Sequence, residues 1–228
     1  HPDFQNKGIG KQLTDRALQH IRQRGVSAAW LQVREDNDKA IRLYQSAGFR
    51  EVARRTNWLS QDHKTPISSL PAEITITQKV KKTDVWQKQL VWLDHLYPQE
   101  IAWYLSFNLK SFRPSLWQQT WNILNGSNRE QWAAYQDREL IGTATLEATH
   151  RSADIIWLAA DESAEDMAIR CLLLHLHQQR SLHRKLMINY PANRARNSFL
   201  DAGFEEHNTL IWMKIDFETF DQEMRINQ

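Results

Sequence analysis

The residues best placed to do chemistry come early in the chain. Gln5-Asn6-Lys7-Gly8-Ile9-Gly10-Lys11 opens an amphipathic stretch. A helix start presents backbone N–H groups with no partner inside the helix, together with the positive end of the helix dipole. Glycine has no Cβ, so Gly8 and Gly10 let an anion come close to that backbone. Phosphate is the guest such a turn takes. The spacing is not the dinucleotide fingerprint, because Leu13 stands where the third glycine belongs. Nor is it a P-loop, since Gln5 replaces the first glycine. By itself a Gly-x-Gly turn is equally a turn with no ligand.

Other reactive side chains read as structural. His175 and His177 are two apart on a helix, point to different faces and cannot chelate one metal together. His20 reads as a surface residue. Cys171, the one cysteine, excludes an internal disulfide and any multi-cysteine metal site, and its place beside Leu172 marks it as core. Asp161-Glu162 and Glu165-Asp166 read as acids at a helix start, and Arg54-Arg55 as a solvated strand end.

The elements that must position the glycine turn follow from periodicity. Ile9, Leu13, Ala17 and Ile21 recur every four residues with Leu18 beside them, which predicts a helix from Ile9 to Arg24, stopped by Gly25. Ala28–Arg34 reads as a buried strand. Asp36, Asn37 and Asp38 offer N-caps for a short helix to Ala47, and Gly48 suits the left-handed position after it. Arg50–Leu59 returns as a strand.

This pattern occurs twice. At an offset of 155, Leu31, Ala40, Ala47, Gly48, Phe49 and Glu51 are repeated as Leu186, Ala195, Ala202, Gly203, Phe204 and Glu206. Such an offset is the size of a small domain and indicates duplication of a whole one. The second copy carries about 85 further residues in front, read as Glu73–Thr77 strand, helices at 85–96 and 115–124, a hairpin of 131–135 and 140–147, and a strand at 155–159. The division expected is residues 1–59 as the second half of one domain, 60–71 as linker and 72–228 as a complete second domain. Counting back by the offset puts the first domain's start about 85 residues upstream. Residues 1–228 alone are then expected to lack activity and to associate.

The glycine turn, its helix, the next strand, Asn37, Ala40, Leu43-Tyr44 and Gly48-Phe49 together resemble the GNAT superfamily of N-acetyltransferases. Residues 1–58 are most similar to bacterial N-terminal acetyltransferases of ribosomal proteins. The resemblance implies an α/β fold with a mixed central sheet flanked by helices, here as a half domain followed by a complete degenerate one. It implies acetyl-CoA as acyl donor, its pyrophosphate on the amides of Gln5, Asn6, Lys7, Gly8, Ile9, Gly10 and Lys11, and no metal. The pantetheine arm would follow Ala28–Arg34 near Asn37, and Tyr44 would protonate the leaving thiolate. One position departs: Gln32 stands where those enzymes carry their glutamate base, and an amide takes no proton at neutral pH. In the second copy Gln5, Gly8 and Gly10 become Ala160, Ser163 and Glu165, and Tyr44 becomes Phe199. The packing positions persist while the chemical ones change, as in a copy that has lost its site.

The function expected is acetyl transfer to a primary amine of a small molecule or peptide N-terminus. The alternative is a non-catalytic acyl-CoA sensor. Residues 1–58 hold 11 Lys/Arg against 6 Asp/Glu, while the rest holds 18 against 21. A basic segment suits an anionic ligand. It lacks interleaved exposed aromatics, so nucleic acid is not expected as a partner. Eight of the ten tryptophans lie after residue 80 and read as packing. No run reaches the roughly 18 apolar residues of a membrane span. A cytoplasmic enzyme is expected, a monomer or weak dimer in which two GNAT-like domains pack together.

Overall fold

The computed structural model describes residues 7–61, 70–78, 83–105, 112, 129–149, 152–179 and 184–217. The first repeat forms α1 (Ile9–Gln23), β1 (Ala28–Arg34), α2 (Asp38–Ser46) and β2 (Arg50–Ser60). Then come β3 (Ile74–Gln78), α3 (Thr83–Leu96), α4 (Gln99–Ala102), β4 (Arg129–Gln136), β5 (Glu139–Glu147) and β6 (Ala153–Ala160). The second repeat forms α5 (Glu165–Gln179), β7 (Lys185–Pro191), α6 (Arg196–Asp201) and β8 (Phe204–Asp216). Both repeats therefore run helix, strand, helix, strand. The turns behave as their residues require: Gly25, Gly48 and Gly203 follow helices at φ of 70°, 93° and 80°. Asp137 and Arg138, both at positive φ, close the β4–β5 hairpin. The helix expected at 115–124 lies outside the described residues.

The chain forms two compact units, and they cut it differently from the repeat. Unit 1 joins His1–Thr56 to Asn208–Gln228, and unit 2 is Asn57–His207. In unit 1 the strand order is β1-β8-β2. β1 and β8 are antiparallel, from Ala28 opposite Asp216 to Arg34 opposite Leu210. Alternation puts Ala29, Leu31 and Val33 on one face with their cross-strand partners Ile215, Met213 and Ile211. These residues and Phe217 form one core with Ala47, Phe49 and the inner sides of α1 and α2. Polar contacts fasten the same strand: the Glu35 amide donates to the Thr209 carbonyl at 2.9 Å, and Arg50 pairs with Asp216. Half of this core thus comes from residues more than 150 positions away. Met213 is fully buried in it. Met213→Ala should destabilise unit 1 by roughly 2–5 kcal/mol, the usual range for such a cavity, measurable by urea unfolding. A loss below about 0.5 kcal/mol, typical of surface changes, would contradict this packing.

Unit 2 is a mixed sheet. β3, β4, β5 and β6 are antiparallel neighbours, and β6 pairs with β7 in parallel. β2 follows β7 in the order, where the Ser60 hydroxyl accepts from the Leu186 amide at 2.8 Å. Ser60, expected to begin a linker, is therefore a buried strand residue. α3 and α5 cover the sheet, and Leu93, Leu158, Ile169, Leu172 and Phe199 lie at its centre. Cys171 is buried there, as its stripe predicted. Arg55 is also buried, against the reading of a solvated strand end. No helix among the described residues is long and apolar enough to cross a membrane.

Candidate acyl-donor site

The glycine turn sits at the head of α1. Gly8 is the N-cap at φ 75°, a left-handed conformation that side chains other than glycine enter at a cost. Nothing lies within 4 Å of where its Cβ would be. The first intrahelical bond runs from the Gln12 amide to the Gly8 carbonyl at 3.1 Å. The amides of Ile9, Gly10 and Lys11 precede it, the N-cap glycine offers them no side-chain cap, and no acid lies in the first turn. Residues 7–11 are all exposed. The result is an exposed helix start with a glycine N-cap, bearing Lys7 and Lys11, the electrostatics an anionic group requires. Gln5 and Asn6 lie outside the described residues.

The two glycines do different work. Gly10 is helical, and a Cβ there would lie 3.4 Å from Leu43 Cδ2. It lets the start of α1 rest against α2, one residue from Tyr44. Only Gly8 is required by its backbone angle. The sequence motif does not distinguish them.

Tyr44 lies in the last turn of α2, half buried on the unit 1 core, its ring edge-on to Phe49 at 5.9 Å between centroids. Its orientation is fixed by packing while part of the side chain stays accessible. Asn37 caps α2: its Oδ1 accepts from the Ala40 amide at 3.2 Å. That leaves the carboxamide NH2 to donate elsewhere. Asn37→Ala should cost about 1 kcal/mol through the lost cap, and Asn37→Asp should restore it. Thermal unfolding of both variants checks this, and equal losses would deny the capping role.

Gln32 stands on the other face of β1, opposite Trp212 and next to Trp30, whose ring carries Lys214 Nζ at 5.5 Å. Its Nε2 is buried with no hydrogen-bond partner among the described residues. It can donate to a carbonyl oxygen, and it cannot serve as a base. The structure thus brings the turn and Tyr44 together through α2 and sets Gln32 across the strand from them. The described residues hold no cluster of three or more His, Cys, Asp or Glu that could bind a metal.

Residues 1–49 match the model of the acetyltransferase (GNAT) family. The chain is 41% identical over 68 residues to the ribosomal protein bS18-alanine N-acetyltransferase of Salmonella typhimurium, covering 29% of this chain and 46% of that protein. It is 42% identical over 57 residues to a mycothiol acetyltransferase of Geodermatophilus obscurus, covering 25% of this chain and 18% of that one. The chain spans less than half the length of these relatives. Among solved structures, a GCN5-related N-acetyltransferase from Sphaerobacter thermophilus is similar at TM-score 0.58 and 17% identity, over 95% of this chain and 70% of that one. A tandem GNAT protein from the clavulanic acid biosynthesis pathway is similar at TM-score 0.54 and 15% identity, over 95% and 72%. The fold is the α/β GNAT fold, with a mixed sheet flanked by helices.

Proposed function

We propose that the protein is an N-acetyltransferase that moves the acetyl group of acetyl-CoA to a primary amine. The observation that carries this is the exposed start of α1 with its glycine N-cap held at φ 75°, inside the segment that matches the GNAT family. Acetyl-CoA supplies the thioester; the chain's residues bind and orient it. The pyrophosphate would lie on the amides of residues 5–11, the pantetheine arm along β1 near Asn37, and the sulfur beside Tyr44. A deprotonated amine attacks the thioester carbonyl, the C–S bond breaks, and Tyr44 passes its proton to the departing thiolate. With Gln32 on the acceptor face, the amine's proton leaves to water or to another group of the protein. No metal takes part in this scheme.

We also propose that the chain is a tandem of two GNAT copies whose second has lost its site. The matching element order and the repeated glycines after α2 and α6 support this. The repeat would divide it as residues 1–59, 60–71 and 72–228, although β8 contributes to unit 1. A primary-amine substrate fits either a peptide N-terminus or a small molecule, and the single buried thiol suits a reducing cytoplasm. Turnover of the purified full-length protein with acetyl-CoA and a panel of amines, read as thiol release, tests the activity. Tight acetyl-CoA binding with no turnover on any amine would favour the sensor instead.

A further inference from the structure

Unit 2 holds a part-buried polar cluster that the proposed acyl-donor site does not use. Tyr190 on β7 is fully buried, and its hydroxyl donates to Glu165 Oε1 at 2.6 Å. Arg194, in the turn between β7 and α6, donates from Nε to Glu165 Oε2 at 3.1 Å and places Nη2 2.8 Å from Oε1. Glu165 is the first residue of α5, so its carboxylate sits at the positive end of that helix. Burial first, and then the Glu165 carboxylate, push the Tyr190 phenol far above its ordinary range, which keeps it a donor.

The neighbouring acids are engaged as well. Asp161 accepts from the Ser163 amide at 3.1 Å and from its hydroxyl at 2.6 Å. Asp166 accepts from the Ser198 hydroxyl at 2.9 Å. A second filling lies between the parallel strands. β6 and β7 pair only from Ala153–Lys185 to Ile155–Met187, although they continue to Ala160 and Pro191. Tyr97 spans that stretch, its ring 5.3 Å from Trp157 of β6 and its hydroxyl donating to the Asn189 carbonyl of β7 at 3.3 Å.

The repeat gives these contacts meaning. At the offset of 155, Glu165 falls on Gly10, Tyr190 on Glu35 and Arg194 on Lys39. The first copy has none of the three, and its N-cap residue, Gly8, supplies no side-chain cap. The second has all three, with the Glu165 carboxylate held by the other two beside its helix start. We propose that Glu165 is a built-in anion: its carboxylate occupies the place that the first copy leaves open to a phosphate, and with Tyr190 and Arg194 it locks α5, β7 and the following turn into a closed, ligand-free state. This rests on the reading of α1 as an anion site and of the two segments as copies. A carboxylate bonded to a guanidinium and a buried phenol is held by strong, charge-assisted hydrogen bonds. It also repels any second anion.

The test is chemical rescue of the purified chain. Glu165→Ala removes the carboxylate and leaves Arg194 and Tyr190 around an anion-sized gap. Its Tm should fall by about 5 °C or more, as a part-buried carboxylate and its charge-assisted hydrogen bonds are lost. Sodium acetate should restore part of that loss in a saturable way, beyond sodium chloride at equal ionic strength, and should leave the wild type unmoved. An unchanged Tm, or a loss that acetate does not relieve beyond chloride, overturns the proposal. Should Glu165→Ala not fold, Glu165→Gln, Tyr190→Phe and their double decide it. Losses that are less than additive support the lock, and fully additive losses overturn it. These readouts are independent of catalysis. A wild type that fails to bind acetyl-CoA would defeat the acetyltransferase reading and leave them standing.

Discussion

Gly8→Val is expected to abolish acetyl-CoA binding while leaving the protein folded. Gly8 sits at φ 75°, where a β-branched residue is strained by roughly 1–2 kcal/mol. Nothing in the chain lies within 4 Å of the new Cβ, so no core contact is broken. On the proposed placement of the cofactor, the side chain meets the approaching pyrophosphate and holds it off from the amides of residues 9–11. Relaxing the turn to suit valine would also turn those amides away. The matched change Ser163→Val is the control. The Ser163 amide is already taken by Asp161 at 3.1 Å, so no ligand is lost with its hydroxyl. Calorimetry of the full-length protein should find one acetyl-CoA per chain in the wild type and in Ser163→Val, and none in Gly8→Val. Two equivalent sites in the wild type, or unchanged affinity in Gly8→Val, would remove the basis for placing the cofactor at α1.

Tyr44→Phe is expected to lower kcat roughly 10²-fold, the low end of general-acid effects, because protonating a thiolate is mild work. Affinity for acetyl-CoA should barely change: the ring, its edge contact with Phe49 and its packing on the unit 1 core all survive the loss of one oxygen. The repeat supplies an internal comparison. Phe199 is fully buried, stacked on Trp58 at 4.7 Å and edge-on to Tyr190 at 5.4 Å. Phe199→Tyr forces a hydroxyl into that aromatic cage and should cost about 1–3 kcal/mol with no new activity. Steady-state kinetics on the full-length protein, with chemistry as the slow step, separates the cases. An unchanged kcat in Tyr44→Phe makes Tyr44 a packing residue.

Local order was legible in the sequence because its causes are local. α1, β1, α2 and β2 fall within a residue or two of their predicted bounds, since the apolar period and the glycines after each helix act over a few residues. Asn37 was readable as a cap for the same reason. The candidate site was legible as a motif, and the structure then separated its parts. Gly8 is required by its dihedral, Gly10 packs close to Leu43 without being required there, and Gln32 is set on the opposite face of β1 from Tyr44.

Only the tertiary structure decided which segment completes unit 1. The alternation of Ile211, Met213 and Ile215 defines an apolar face but names no partner, because any strand of matching pattern offers the same hydrogen bonds. The choice of β1 depends on the register from Ala28–Asp216 to Arg34–Leu210 and on core space between distant parts of the chain. The same holds for buried polar groups. Glu165 reads as an ordinary helix-start acid until Tyr190 and Arg194, 25 and 29 residues later, are brought to its carboxylate. Periodicity sorts residues by face; which polar groups meet across the fold is set by packing that no local window contains.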